Sequence, residues 1–165
     1  MAVMTERPVV RPPYEAYATI TGVFVGGLGL AGVAARALDR NPACQTPLDL
    51  VVLSAASFKA ARTLARDEVT SFIREPFVEG EAHEGDDERP VQTGGMNQAI
   101  GELVTCSRCV GTWTAAALAV SQILAPRFGR LLTWSLAAAG VNDFLQAGFG
   151  ALAHKGTELD ERNGS

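Results

Sequence analysis

Cys106 and Cys109 lie in the stretch Glu102-Leu-Val-Thr-Cys-Ser-Arg-Cys-Val-Gly-Thr-Trp113, immediately before a run, Val110 to Pro126, that carries no charge. A CxxC at the entrance of an apolar helix can do three things. Free backbone amides and the positive end of the helix dipole favour a thiolate, and Arg108 between the cysteines adds a positive charge, so a dithiol–disulfide couple fits. Zinc takes four ligands, of which this pair supplies two; beyond distant Cys44, two histidines and carboxylates, a site of four thiolates, two from each copy of a homodimer, fits the geometry. In the third reading the two small side chains cap a tight turn and bury against the helix around residues 48–65. Cys44, the third cysteine, reads as a passive thiol.

Asp143 is the second candidate. It lies with Asn142 and Gln146 near the middle of an apolar run, where a carboxylate is costly and needs a partner; Lys59 and Arg62 are the cations placed to serve. The arrangement reads as a polar clamp between helices, with a proton or ion relay as the alternative. Asp67, Thr70 and Arg74 form the third group. Thr70 and Arg74 are one helical turn apart, and a salt-bridged scaffold beside the CxxC accounts for them better than catalysis does. No phosphate loop, HExxH, dinucleotide fingerprint or Ser-His-Asp set is recognisable, so the common enzyme classes lack support.

The elements that would position these residues are helices. Residues 1–15 are a proline-containing, flexible lead, and the first transmembrane helix covers 16–38. Ala16 to Ala35 is uncharged, and at 1.5 Å per residue it reaches ~30 Å, the thickness of a bilayer core. Gly22, Gly26 and Gly29 give it a small-residue face on which another helix can pack, and Tyr14 and Tyr17 fall at the level of an interfacial aromatic belt. A membrane domain follows over 48–153. It comprises a helix over 48–65 with Lys59, Arg62 and Arg66 on one face, an amphipathic connector that Pro76 ends near Glu75, and a mobile acidic loop over 79–95. After the loop come a short amphipathic helix from Met96 to Val104 that delivers the CxxC, an apolar helix to about Ala125, a turn at 127–130, and a last helix from Leu131 to Ala153. Residues 154–165 form a polar, frayed tail. His83, isolated in the acidic loop, is not expected to bind metal.

The chain is 47% hydrophobic but 7% aromatic and 19% charged, below the ~25% charge of soluble domains. Its apolar content is therefore Ala, Val, Leu and Gly, which suits closely packed helices. A net charge of −4 leaves no basic footprint for nucleic acid. The reading is an all-α, small multi-pass membrane bundle of about four hydrophobic helices, with an interfacial amphipathic helix and an acidic loop. Its expected partners are the lipid bilayer and either a protein partner or further copies of itself. With four spans, one side collects Arg7, Arg11, Arg66, Arg74, Arg89, Arg108, Lys155 and Arg162, against Arg36, Arg40, Arg127 and Arg130 on the other. That balance places both termini in the cytoplasm.

Two stretches also carry a resemblance. They are Asp49 through Ala56 to Arg62, Asp67-x-Val69-Thr70, Arg74 and Pro76-Phe77, and then Glu102-Leu103-x-Thr105-Cys106-x-x-Cys109-x-Gly111-x-Trp113. Together they resemble the bacterial membrane-protein family designated domain of unknown function 1360, over roughly residues 48–150, with Ser107 where the family's usual proline follows the first cysteine. The resemblance implies a membrane topology and draws attention to these residues, but it implies no reaction. The functional expectation is a non-enzymatic structural or interaction component of the bacterial envelope, without a required cofactor. The alternatives are a thiol-redox or zinc-binding protein using Cys106 and Cys109, and an ion- or proton-conducting oligomer using Asp143.

Overall fold

Thr46 and Asp49 start the second helix by capping each other. The Thr46 amide and hydroxyl donate to Asp49 Oδ2 at 2.9 and 2.8 Å, and the Asp49 amide reaches back to Thr46 Oγ1 at 3.3 Å. This closes a capping box one residue ahead of Pro47, whose missing N–H costs nothing in a first turn. Such local signals recur along an all-α chain. A computed structural model describes residues 12–40, 45–80 and 88–163, with side chains as far as 157. Arg7, Arg11, Cys44, Glu81, His83, Glu84, Asp86 and Asp87 lie outside the described residues, as does the side chain of Arg162.

Among the described residues there are six α-helices: α1 (Tyr14–Ala37), α2 (Pro47–Arg66), α3 (Ser71–Arg74), α4 (Met96–Thr105), α5 (Ser107–Leu124) and α6 (Pro126–Asn163). Two short strands, β1 (Val78–Glu79) and β2 (Arg89–Pro90), pair antiparallel, Val78 with Pro90 and Glu79 with Arg89. The chain divides into two compact units, one of Met1–Ala34 and Ala61–Trp113, the other of Ala35–Ala60 and Thr114–Ser165.

In the first unit, Ala61, Ala65 and Val110 form a small core with Leu64 against it. α4 is its hub and packs on α3, on the Glu75–Phe77 turn and on β2. A Cβ on Gly101 would lie 2.4 Å from the Phe77 carbonyl oxygen and 3.1 Å from Pro90 Cβ, so this approach requires glycine. Phe77 O also accepts from Val91 N at 3.0 Å, which extends the two-residue ladder. The acidic loop expected over 79–95 is therefore paired at both its ends. Two-residue strands carry no periodicity, and nothing in the sequence announces them.

In the second unit, Ala56, Leu118 and Ala137 are buried among Val52, Leu53, Leu132 and Leu136. Gly140 lets α6 approach α2, since a Cβ there would sit 3.1 Å from Ala55 O. Polar clasps join the helices: Thr114 Oγ1 donates to Ser57 O at 3.2 Å, and Gln122 Nε2 to the fully buried Thr133 Oγ1 at 2.9 Å. The turn expected at 127–130 and the frayed tail from 154 are instead part of α6, whose 38 residues extend ~57 Å. Pro126 opens this helix instead of breaking it. Gly129 fits where α6 folds back on α5, because a Cβ there would meet Gln122 N and Ser121.

Only α1, among the described residues, is by itself long and apolar enough to cross a membrane. α4 and α5 meet that description jointly, but with an 85° bend between them. α2 carries Asp49, Lys59, Arg62 and Arg66, and α6 carries Asn142, Asp143 and Gln146 within its apolar run. Gly22, Gly26 and Gly29 have no atom within 4 Å of where a Cβ would stand, so the small face of α1 does not pack on another helix of this chain among the described residues.

Candidate functional site

The residues singled out between α2 and α3 converge on one guanidinium. Arg74 is fully buried. Its Nε donates to Glu88 Oε2 at 2.7 Å and its Nη2 to Glu88 Oε1 at 2.9 Å, a bidentate ion pair whose carboxylate is also out of water. Nη1 reaches Leu64 O at 2.9 Å, Asp67 O at 3.1 Å and Thr70 Oγ1 at 3.1 Å. The Thr70 hydroxyl donates to Thr63 O at 2.5 Å and Asp67 O at 3.0 Å. One cation thus ties down the last turn of α2, the Glu68–Thr70 3-10 turn and the approach to β2. The carbonyls freed where α2 ends need donors, and Arg74 supplies them.

This differs from the expected scaffold in one respect. Asp67 contributes its main-chain carbonyl to Arg74, and the carboxylate comes from Glu88. Sequence reasoning could not pick Glu88 out of an acid-rich stretch. Arg62, a residue of the family-like motif and the alternative cation for Asp143, is exposed on α2.

Glu102 belongs to a second cluster. It accepts from the Tyr17 hydroxyl of α1 in a short hydrogen bond and from Gln98 Nε2 at 2.9 Å, while Gln98 Oε1 accepts from Gly94 N at 2.8 Å. Trp113 packs edge-on against Phe24, with ring centroids 5.0 Å apart. α1 is therefore fastened to its unit at both a polar and an aromatic point. Tyr17, expected at a membrane interface, bonds Glu102 through its hydroxyl. Gly111 faces Ala61 at an ordinary contact distance of 3.8 Å for an added Cβ.

Cys106 and Cys109 are joined in a disulfide. Cys106 has extended backbone, φ −95° and ψ 99°, and is the corner at which α4 gives way to α5. Its sulfur accepts from Cys109 N at 3.3 Å, in the position of an N-cap. Cys109 and Arg108 are exposed. Among the described residues no three metal-ligating side chains come together.

In the second unit, Lys59 Nζ pairs with Asp143 Oδ2 at 2.7 Å, both groups partly exposed. Phe58 and Phe144 stack alongside with centroids 5.4 Å apart. Asn142 and Gln146 are exposed.

As chemistry, these arrangements hold structure together. Every buried side-chain nitrogen or oxygen among the described residues has a hydrogen-bond partner. Neither cluster aims an unpaired acid, base or nucleophile at a cavity. Among the described residues, the disulfide is the reactive group that remains.

Comparison with known proteins agrees with this part of the chain. "Sporulation protein YjcA" of Bacillus subtilis (strain 168) is 34% identical over 91 residues, 52% of this chain and 76% of that protein. No solved structure matches. The model of the family described as "Protein of unknown function (DUF1360)" matches residues 52–149, which include the Arg74 node, Glu102, the cysteine pair and Asp143, and the chain belongs to that family.

Proposed function

We propose that this chain is a small multi-pass membrane protein of the bacterial envelope, acting as a structural or interaction component of a membrane assembly and not as an enzyme. The observation that carries the reading is α1. It is 24 residues long, and Val23, Val25, Leu30 and Val33 are each at least 60% exposed. A helix of this composition in a soluble core would be buried, whereas a helix facing lipid is not. Exposed apolar side chains on α2 and α6, among them Leu50, Val51, Leu145 and Phe149, and the crossing length of the bent α4–α5 pair, support further spans. The balance of arginine and lysine supports cytoplasmic termini. The name of the Bacillus relative suggests spore formation as the phenotype in which to look for loss of function. Extraction of isolated membranes with alkaline carbonate tests the reading: the protein stays in the pellet, and its release into the supernatant would overturn an integral membrane role.

A second reading rests on the Cys106–Cys109 disulfide at the exposed start of α5. In it the pair exchanges with a partner protein's dithiol: the Cys106–Cys109 bond is reduced to two thiols while the partner's two thiols lose two protons and two electrons to form a disulfide, and the reverse exchange restores the pair. Counting thiols and metal on detergent-purified protein, before and after mild reduction, separates the readings. Two thiols that appear only on reduction, and that then reduce a model disulfide protein, support exchange. Zinc at about half an equivalent per chain indicates a four-thiolate site shared by two copies.

A further inference from the structure

The segment between α2 and β1 is built inside out. Its cation, Arg74, is fully buried and neutralised by Glu88, while Val69 is 75%, Phe72 69% and Ile73 38% exposed. Water selects the opposite arrangement, with apolar side chains in and the guanidinium out. Val69 lies in the Glu68–Thr70 3-10 turn and Phe72 and Ile73 in α3, and none of the three is buried in the core of the unit. Their unit is also the one that carries α1. Tyr17 of α1 bonds Glu102 of α4, and α4 packs directly on α3 and the Glu75–Phe77 turn. The outward apolar cluster is thus continuous, through α4, with the crossing-length helix.

Among the described residues, the exposed charges of this region balance. Arg62, Arg89 and Arg108 are exposed, and so are Glu68, Glu75 and Glu79. With Arg74 cancelled internally, the described residues offer no net positive charge to an anionic surface, and the sequence between β1 and β2 adds only acidic charge, Glu81, Glu84, Asp86 and Asp87. Contact with a membrane here would have to come from apolar insertion.

We propose that Val69, Phe72 and Ile73 seat in the acyl–headgroup boundary of the bilayer crossed by α1, as a shallow apolar anchor indifferent to lipid charge; this rests on the membrane reading above. The Arg74–Glu88 pair is the device that makes such an anchor available. By satisfying the end of α2 from inside, it turns the segment over and presents its apolar residues outward.

The test uses the full chain with Trp113→Phe and Trp134→Phe, which leave no native tryptophan. Phe72→Trp is then introduced alone, or Val25→Trp alone at the centre of α1. Each protein is reconstituted into phosphatidylcholine vesicles with bromine placed either near the headgroup or near the acyl terminus. Phe72→Trp is expected to lose at least half its emission to the shallow bromine and much less to the deep one, in line with insertion of ~5–10 Å. Val25→Trp shows the reverse order. The Phe72→Trp signal stays the same when anionic phosphatidylglycerol is added. If Val25→Trp is quenched by lipid but Phe72→Trp only by aqueous acrylamide, the anchor is refuted and the membrane reading stands. If neither is quenched by lipid, both fall. Quenching of Phe72→Trp that depends on anionic lipid overturns the apolar mechanism.

Discussion

Arg74 and Glu88 should behave as one coupled unit, and a double-mutant cycle measures this directly. Arg74→Met leaves the Glu88 carboxylate, 1% exposed, without its cation. It also removes the donors to Leu64 O and Asp67 O. Glu88→Leu leaves a buried guanidinium uncompensated. Removing one partner of a buried pair costs about 3–5 kcal/mol, because the stranded charge cannot be rehydrated. For a chain of this length each kcal/mol lowers the melting temperature by roughly 2–4 °C, so each single variant should melt roughly 6–20 °C lower in detergent. Replacing both residues removes the stranded charges, and a well-packed apolar pair can be nearly neutral against the original. The double variant should therefore lose no more than either single one, which is a coupling energy of about 3 kcal/mol or more. Melting followed by circular dichroism gives the global number. Hydrogen exchange at the Val91 amide, which donates to Phe77 O across the β1–β2 ladder, gives the local one and should accelerate in both single variants. Additive costs, or single variants within about 1 kcal/mol of the parent, would refute the idea that this pair holds the polar end of the unit together.

Other substitutions test separate contacts. Gly101→Ala places a methyl 2.4 Å from Phe77 O and should destabilise by about 1–3 kcal/mol. Gly111→Ala meets Ala61 at 3.8 Å and should be neutral or stabilising by up to about 1 kcal/mol through helix propensity; thermal melts that reverse this order refute the packing around α4. Asp143→Asn breaks an ion pair whose side chains are 21% and 41% exposed; where α2 and α6 span a bilayer that exposure is to lipid, so the cost should exceed the roughly 1 kcal/mol of a water-exposed pair, and a smaller loss by the same melt would put the pair in water. Gly26→Leu, at a position where an added Cβ meets no atom within 4 Å among the described residues, should leave the melting temperature unchanged while weakening energy transfer between labelled copies in vesicles. Unchanged transfer would remove the small face of α1 from any self-association.

The helices were legible because their signals are local and strong. The uncharged run from Ala16 to Ala35, Pro47 with Asp49 in the first turn after it, and Pro76 two residues beyond the end of α3 each point to a boundary that α1, α2 and α3 observe within a few residues. Signals with two meanings misled. Pro126 followed by Arg127-Phe-Gly-Arg130 has the composition of a turn, yet proline also opens helices, and Gly129 is there because α6 crosses the end of α5 closely. The Lys59–Asp143 pair was within reach, because a lone acid in an apolar helix demands a cation and only Lys59 and Arg62 were near the right level.

What escaped is non-local and polar. Choosing Glu88 over its acidic neighbours requires knowing that the chain doubles back to place β2 beside β1, and a ladder of two residues leaves no pattern to read. Gly101 offered only the weak hint of a glycine inside a helix, with no sign that a carbonyl would press on it. The inverted burial around Arg74 has the same origin. Periodicity says which residues share a face, but the solvent decides which face turns inward. Val69, Phe72 and Ile73 are apolar, and in water the core would be their place. Once Arg74 finds Glu88, Leu64 O and Asp67 O inside, its desolvation is compensated and these apolar residues are free to face outward. For that segment lipid depth, more than hydrophobic pattern, is the variable to measure.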